Sequence, residues 1–227
     1  MPKGAGRPPV VLVISEIFGV HEYIRDVCRR LGKLGYCAIA PELFARLGDP
    51  RQLSSVPEIL ARITSKTPDA QVMSDLDATV AWAAKHGADT GRLAITGFCW
   101  GGRITWLYCA HSSLVRAGVA WYGRLAPSAT ATEQQVAAGR PWPVDLAGDL
   151  KAPVLGLYGG QDQGIPVASV ETLRAALARE GAQGSDIRLY PEAPHGFHAD
   201  YRASYRPEEA ADGWRRLLAH FDAYLKG

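Results

Sequence analysis

The segment 97–102, Gly-Phe-Cys-Trp-Gly-Gly, most strongly constrains how this chain can fold. It follows the apolar run 93–96 and precedes residues 103–107, which have the composition of a helix. Glycines on both sides of Cys99 allow the backbone to turn sharply. The pattern Gly-x-nucleophile-x-Gly between a strand and a helix is typical of a strained turn that exposes its central side chain. The sequence therefore predicts that the thiol of Cys99 is presented at the edge of a sheet.

Strands and helices alternate along the rest of the sequence. Apolar runs of strand length predict buried strands at 10–14, 36–40, 117–122, 154–158 and 187–190. Helical periodicity predicts helices at 24–34, 56–63, 70–86, 167–180 and 207–225. Residues 123–151 show no clear period and are predicted to be a flap or connector. The alternation predicts an α/β chain with a doubly wound, mostly parallel sheet, and 227 residues fit a single domain, 1–227.

Composition and charge argue against several kinds of partner. The formal net charge is +2 and there is no block of basic residues, so nucleic acid is not expected to bind. No apolar run approaches about 18 residues, so we expect no membrane span. The first residues lack the apolar segment of a signal peptide, so we expect a cytoplasmic protein unless a leader was removed. We expect a small-molecule ligand and a monomer or weak homo-oligomer.

The cysteines do not form a metal site. Cys28, Cys37, Cys99 and Cys109 include no Cys-x-x-Cys pair and no ligand spacing with histidine, so we expect neither metal nor cofactor. Three of them lie in apolar helix or strand patterns and are predicted to be buried thiols. Only Cys99 lies on a turn. A redox pair of Cys99 and Cys109 is disfavoured, because about ten helical residues would separate them by roughly 15 Å.

A nucleophilic cysteine needs a base and a carboxylate that orients the base. In the α/β-hydrolase fold the acid and then the histidine follow the nucleophile, on loops after later strands. Asp162 follows the strand at 154–158, and His195 follows the last strand. Each residue alone also fits a plain turn or a solvated loop, but their order predicts a triad with Cys99. Of the other histidines, only His198 is close enough in sequence to compete as the base.

The segment 15–19 occupies the position at which this fold places its second oxyanion donor. The backbone N–H groups of Ile17 and Trp100 are therefore predicted to face the developing oxyanion. Glu16 fits either a solvated loop charge or a functional group. Aromatic residues near these turns are predicted to line the substrate pocket, although each also fits the core: Phe18, Trp121, Tyr122 and Phe197.

Together these segments resemble the dienelactone hydrolase (carboxymethylenebutenolidase) family. The matching stretches run in order along the chain at 16–19, 40–44, 97–102, 121–123, 159–162 and 195–197. The resemblance implies a cysteine hydrolase of cyclic enol esters that opens dienelactone to maleylacetate without a metal or an organic cofactor. It also implies that Glu16 accepts the thiol proton of Cys99 when substrate binds, and that His195 stabilises the thiolate.

The substrate anchor departs from the family pattern. The family carries an arginine four residues after the catalytic histidine, and that position is Ala199 here. A second family arginine lies after the segment at 40–44, where this chain has Arg46, Arg51 and Arg62.

The run 65–71 is similar to the corresponding run in a broad dienelactone-hydrolase-like branch of the family. A separate feature departs from the family: nine residues precede the first strand, where the family has a β-hairpin. The substrate could therefore differ from dienelactone. The alternatives are a broad-specificity carboxylesterase acting on other small esters and a catalytically degenerate ligand-binding protein of the same fold.

Overall fold

The computed structural model describes residues 6–127 and 140–225. In these ranges six parallel strands form one sheet in the order β2-β1-β3-β4-β5-β6. The strands are β1 (Pro9–Ile14), β2 (Cys37–Ile39), β3 (Asp89–Phe98), β4 (Val115–Trp121), β5 (Val154–Gly159) and β6 (Asp186–Tyr190). This confirms the predicted α/β class and its parallel sheet. The middle of the predicted connector, 128–139, lies outside the described residues.

Helices connect the strands and cover both faces of the sheet. They are α1 (Glu22–Lys33), α2 (Val56–Arg62), α3 (Asp69–Lys85), α4 (Trp100–His111), α5 (Val167–Arg179) and α6 (Pro207–Leu225). On one face α1 meets α6, where the guanidinium of Arg30 lies 3.8 Å from the ring centre of Trp214. On the other face α4 packs between α3 and the short turns that precede β5.

Several strand boundaries differ from the predictions, and β3 and β2 show why. β3 begins at Asp89, four residues before its apolar run, because Asp89 donates its N–H to the carbonyl of Pro8 and continues the pairing with β1. Backbone pairing of this kind does not depend on apolar side chains. β2 is limited to Cys37–Ile39 and pairs only with β1, as the edge strand of the sheet. The last helix, Pro207–Leu225, has the predicted bounds.

The core encloses two of the cysteines. Cys37 and Cys109 are buried as predicted, whereas Cys28 is only partly buried on α1. Burial raises the pKa of the Cys28 thiol to about 11 and raises that of Cys109 further still. These thiols are therefore protonated at neutral pH.

Of the helices in residues 6–127 and 140–225, none is long and apolar enough to cross a membrane.

The carboxyl ends of the strands define the edge that carries the site. Because all six strands are parallel, the loops after β1, β3, β4, β5 and β6 leave the sheet at the same edge. These loops carry Glu16, Cys99, Tyr122, Asp162 and His195, respectively. Residues that are up to 179 positions apart in sequence are thereby brought to one edge of the sheet.

Candidate active site

Cys99 lies on a strained turn between β3 and α4. Its backbone has φ 54° and ψ −114°, and among the described residues only Cys99 and Tyr122 are non-glycine residues with positive φ. Such a conformation costs on the order of 1–3 kcal/mol, so the surrounding packing must enforce it. A Cβ on Gly101 would lie 2.4 Å from the carbonyl oxygen of Ile14, and one on Gly102 would lie 2.4 Å from that of Trp121. The glycines therefore let α4 begin directly against β1 and β4.

The loops after β5 and β6 hold the predicted acid and base together. The Gly160 N–H donates to the carbonyl of Tyr190, and the Gln161 N–H donates to that of Ala193. In this arrangement Nδ1 of His195 lies 2.6 Å from Oδ2 of Asp162. The Asp162 side chain is buried and the His195 side chain is partly exposed.

The charge state of His195 follows from these neighbours. Burial lowers its pKa, but Asp162 and Cys99 outweigh burial and raise the pKa to about 10. The imidazole is therefore protonated at neutral pH. Because Cys99 is among the groups that act on the imidazole, the cation lies within interaction distance of the Cys99 sulfur.

A cavity of about 630 Å³ brings the predicted residues together. Its lining includes Ile17, Cys99, Trp100, Asp162 and His195, together with apolar side chains from α2. A neighbouring cavity of about 740 Å³ contains none of the predicted site residues. The cavity with Cys99 is therefore the candidate substrate site.

The two predicted oxyanion donors are available to a ligand. Trp100 is the first residue of α4, where backbone N–H groups have no helical acceptor. Ile17 lies in the loop after β1 and lines the same cavity. Within the described ranges neither N–H donates to a protein acceptor. Both are placed where they could bind an oxyanion formed next to Cys99.

Only one of the four aromatic residues predicted to line the pocket does so. Tyr122 lines the cavity, with its ring centre 5.2 Å from that of His195. Trp121 points to the opposite face of the sheet, where it donates to Thr96 and packs under α6. Phe197 is fully buried against Trp121 and Tyr122.

Phe18 also lies outside the cavity lining. The guanidinium of Arg202 lies 5.3 Å from the centre of its ring. The predictions that Phe18, Trp121 and Phe197 line the pocket are therefore corrected, because neighbouring side chains of the core and of the loop after β6 cover these rings.

Glu16 is fully buried and faces the loop after β6. Its Oε2 lies 3.0 Å from Nε2 of His21 and accepts a hydrogen bond of 3.0 Å from the hydroxyl of Tyr201. Nη2 of Arg202 lies 3.3 Å from Oε1, which makes no hydrogen bond within the described residues. No hydrogen bond joins Glu16 to Cys99 in this part of the chain. Glu16 is thus held as a buried, ion-paired carboxylate.

Sequence reasoning missed the arginines of the site. Arg202 lies seven residues after His195, not four, and pairs with Glu16. The three arginines considered earlier serve elsewhere, since each forms an ion pair outside the cavity: Arg46 with Asp75, Arg51 with Asp49 and Arg62 with Glu58. The cavity instead contains Arg103, Arg124 and Arg140. Only the position of Arg103, four residues after Cys99 on a helix, could have indicated this from sequence.

His198 does not compete as the base. It is buried among aromatic rings, its Nδ1 lies 2.5 Å from the hydroxyl of Tyr23, and it does not line the cavity. Burial, with a smaller contribution from Arg30, lowers its pKa to about 3. The folded protein therefore holds His198 neutral.

This burial predicts a pH-dependent loss of stability. Below about pH 6.5 the unfolded chain protonates His198 while the folded chain does not, so acid favours unfolding until the pH approaches 3. We expect His198→Asn, whose amide oxygen can accept from Tyr23, to flatten the fall in unfolding free energy between about pH 6 and pH 4. The measurement is urea unfolding at each pH. The matched variant at the exposed His86, His86→Asn, should keep the wild-type slope, and an equal slope in both variants would refute the assignment.

The described residues contain no cluster suited to a metal ion. No group of three or more histidine, cysteine, aspartate or glutamate side chains with metal-binding geometry occurs in residues 6–127 and 140–225. The prediction that the protein uses no metal stays a prediction.

Comparison with known proteins is consistent with this geometry. A profile of the "Dienelactone hydrolase family" matches residues 1–225. A protein of Methylorubrum extorquens named "Putative carboxymethylenebutenolidase" is 59% identical over 225 residues, which cover 99% of this chain and 75% of that protein. A protein of the same name from Escherichia coli strain K12 is 53% identical, covering 98% of this chain and 80% of the other.

A solved structure agrees with both the family and the fold. The crystal structure of "Putative Dienelactone Hydrolase from Klebsiella pneumoniae subsp. pneumoniae MGH 78578" has 54% sequence identity and a TM-score of 0.92. The match covers 98% of this chain and 90% of that one. With the profile match and these relatives, the chain belongs to the dienelactone hydrolase family, a family of hydrolases with the α/β-hydrolase fold.

Proposed function

We propose that this protein hydrolyses lactones and activated esters with Cys99 as nucleophile, His195 as base and Asp162 as the group that orients the base. The observation that carries the proposal is the Asp162–His195 contact of 2.6 Å in the cavity that also contains the strained Cys99. Three residues from three loops line one cavity, which supports the arrangement that acyl transfer requires.

In the proposed reaction the thiolate sulfur attacks the ester carbonyl carbon. The carbonyl oxygen becomes an oxyanion held by the N–H groups of Ile17 and Trp100. Collapse of this intermediate breaks the bond to the leaving oxygen, which takes the proton of the His195 imidazolium, and a thioester on Cys99 remains. Neutral His195 then removes a proton from water, and the resulting hydroxide attacks the thioester carbonyl. Collapse breaks the carbon–sulfur bond and releases the carboxylic acid, which leaves Cys99 as a thiolate beside the His195 imidazolium.

The raised pKa of His195 suits both steps. Part of the shift comes from Cys99, and a thioester at that position carries no charge. Acylation would therefore remove one cause of the raised pKa and make the imidazole a better base for the water that follows. The same side chain can act as acid in the first step and as base in the second.

We further propose that Glu16 accepts the thiol proton of Cys99. It is a buried carboxylate directly before the Ile17 donor, and its Oε1 makes no hydrogen bond among the described residues but lies 3.3 Å from Nη2 of Arg202. To reach the thiol, Glu16 must exchange its contacts with Tyr201 and Arg202. Displacement of these contacts by a bound substrate would thus raise the thiolate fraction of Cys99 above that of the substrate-free protein.

Glu16→Gln tests this role, because the amide keeps the shape of the side chain but is not a base. We expect the single-turnover rate of acylation to fall by about 10²–10⁴-fold, the usual contribution of a positioned proton acceptor. Stopped-flow release of 4-nitrophenol measures this rate. Glu42→Gln, at a partly exposed carboxylate outside the cavity, is the matched control. An unchanged acylation rate in Glu16→Gln would remove Glu16 from the mechanism.

A substrate panel tests the reaction class. We expect turnover of an enol lactone such as α-angelica lactone and of 4-nitrophenyl acetate, and little turnover of the matched 4-nitroanilide. A thiolate is a good nucleophile for esters with stable leaving groups, but amines leave poorly from its tetrahedral intermediates. Hydrolysis of none of these above the enzyme-free rate would favour a ligand-binding protein of the same fold.

A further inference from the structure

The short helix α2 has a buried apolar face and, adjoining it, an exposed one. Ile59 and Ile63 lie on the first face and are buried. Val56 and Leu60 lie on the second face, four positions apart, and form one stripe along the helix. Both line the cavity that contains Cys99, yet their side chains are 45% and 46% exposed. The described residues thus leave about half of each side chain uncovered at the candidate substrate site.

The buried face of α2 packs on the residues that carry the two proposed oxyanion donors. It belongs to a small hydrophobic cluster separate from the main core, which consists of Ile17, Phe44, Ile59 and Ile63. Trp100 packs against this cluster, and its ring centre lies 4.8 Å from that of Phe44. Because the stripe of Val56 and Leu60 adjoins the buried face, it lies beside the residues that would hold the oxyanion.

Polar contacts hold α2 in this orientation. Oγ of Ser55 accepts from the Glu58 N–H at 3.3 Å, and the Glu58 carboxylate accepts from the N–H and the hydroxyl of Ser54 at 3.1 and 2.9 Å. Arg62 donates to the same carboxylate at 2.7 Å. Caps of this kind stabilise the first turn of a helix. The charged side chains therefore stay on the outer side of α2, and Val56 stays on the side of the cavity.

The rest of the cavity extends this apolar surface. Trp100, Trp142 and Ile165 contribute to the same lining as the stripe on α2. The volume of about 630 Å³ lies within the range of sites that enclose whole small-molecule ligands. Apolar surface of this kind gains free energy when a ligand removes it from water. The lining is therefore suited to a hydrocarbon group larger than acetyl.

The proposed reaction decides which part of the ester meets α2. The leaving oxygen must face His195, which protonates it, and the carbonyl oxygen must face the N–H groups of Ile17 and Trp100. The remaining substituent of the carbonyl carbon is the acyl chain. Since α2 packs on the Ile17 cluster, the acyl chain is the group that its stripe can contact.

We propose that Val56 and Leu60 bind the acyl chain of the substrate, and that the protein therefore prefers esters whose acyl group is a hydrocarbon chain longer than acetyl. The proposal rests on the proposed function, because it names the substrate class of the same cavity. Each methylene that becomes buried against an apolar wall should raise kcat/KM by about fourfold. Both side chains act by contact with the substrate and take no part in proton transfer.

The test compares two esters with the same leaving group, 4-nitrophenyl hexanoate and 4-nitrophenyl acetate. The readout is the ratio of kcat/KM for the hexanoate to that for the acetate, which we expect to exceed about 10 in the wild-type protein. We expect Leu60→Asn, which keeps a similar size, to lower this ratio by about 10-fold, and Val56→Thr to lower it by about 3-fold. A wild-type ratio near 1, or a ratio that Leu60→Asn leaves unchanged, would overturn the proposal.

The matched controls are Leu34→Asn and Val167→Thr. Leu34 directly follows α1 and Val167 is the first residue of α5, and both are exposed and lie outside the cavity. Each control should leave the ratio within about twofold of wild type, as expected for a surface substitution. A fall in Leu34→Asn as large as that in Leu60→Asn would overturn the proposal.

A second pair of esters tests the assignment to the acyl side. Phenyl acetate and 4-butylphenyl acetate share the acyl group and differ in the length of the leaving group. We expect Leu60→Asn to change the ratio of kcat/KM for this pair by less than about twofold, because the leaving group lies toward His195. A loss of about 10-fold for 4-butylphenyl acetate would contradict the assignment to the acyl chain.

A binding measurement separates this proposal from the proposed function. In Cys99→Ala protein, which cannot form a thioester at this position, an NMR titration with the neutral ligand hexanamide should show about 10-fold weaker binding when Leu60→Asn is added. If no ester is hydrolysed but hexanamide binding depends on Leu60, the hydrolase proposal fails and the acyl-chain site stands. If the esters are hydrolysed but hexanamide binding and the hexanoate ratio ignore Leu60, the acyl-chain site fails and the hydrolase proposal stands.

Discussion

Cys99→Ala is expected to lower kcat/KM for 4-nitrophenyl acetate by about 10⁴-fold or more. The reason is that no other described residue can replace the sulfur at this point. Cys99 is the first residue after β3, and its side chain is directed into the cavity by a left-handed backbone that alanine would have to share. The loss should therefore appear in kcat, since the apolar lining that binds the ester is unchanged.

The control for this variant is another cysteine on the same molecule. Cys28→Ala removes a partly buried thiol on α1, outside the cavity, and should keep wild-type kinetics. Circular dichroism and thermal unfolding should show that both variants fold. Hydrolysis by Cys99→Ala within about tenfold of wild type would mean that water, activated by His195, attacks the ester directly.

Asp162→Asn is expected to lower kcat by about 10³–10⁴-fold, as loss of the orienting carboxylate does in other triads. Asp162 accepts from Nδ1 of His195 at 2.6 Å and is among the groups that raise the pKa of His195 to about 10. An amide at this position can donate to Nδ1 instead, which would present the wrong tautomer to Cys99. The imidazole would then stabilise the Cys99 thiolate less, and it would be a poorer base toward the attacking water.

A second measurement follows from the same charge argument. The rate of Cys99 alkylation by iodoacetamide at pH 7 should fall by about tenfold or more in Asp162→Asn, because a weaker imidazolium stabilises less thiolate. Asp186→Asn, at the exposed start of β6, is the matched control and should alkylate at the wild-type rate. Equal alkylation rates in both variants would show that Asp162 does not affect the reactivity of Cys99 through His195.

The parts of the site that could be predicted from sequence depend on short local patterns and on the order of the strands. Cys99 lies within a short pattern whose glycines are required, because a Cβ on Gly101 or Gly102 would lie 2.4 Å from a carbonyl oxygen of a neighbouring strand. Asp162 and His195 follow strands whose parallel order puts their loops at one edge. Their placement needs only the order of the strands, which the alternation of apolar runs already indicates.

The parts that could not be predicted depend on side-chain direction and long-range contact. Trp121 and Tyr122 are consecutive, and the pleat of β4 together with φ 37° at Tyr122 decides which one faces the cavity. Glu16 meets Tyr201 across 185 positions of sequence. Arg124 and Trp142 line the cavity from the segment 123–151, whose sequence shows no period from which their positions could be predicted.

In the proposed mechanism, hydrolysis passes through a thioester on Cys99. The most direct measurement is rapid-quench intact-mass spectrometry of the wild-type protein with 4-nitrophenyl butyrate, followed by peptide mapping. We predict one added butyryl group on the peptide that contains Cys99, which forms with the first turnover and is absent in Cys99→Ala. Steady hydrolysis without this adduct, or an adduct on another residue that turns over at the same rate, would contradict it.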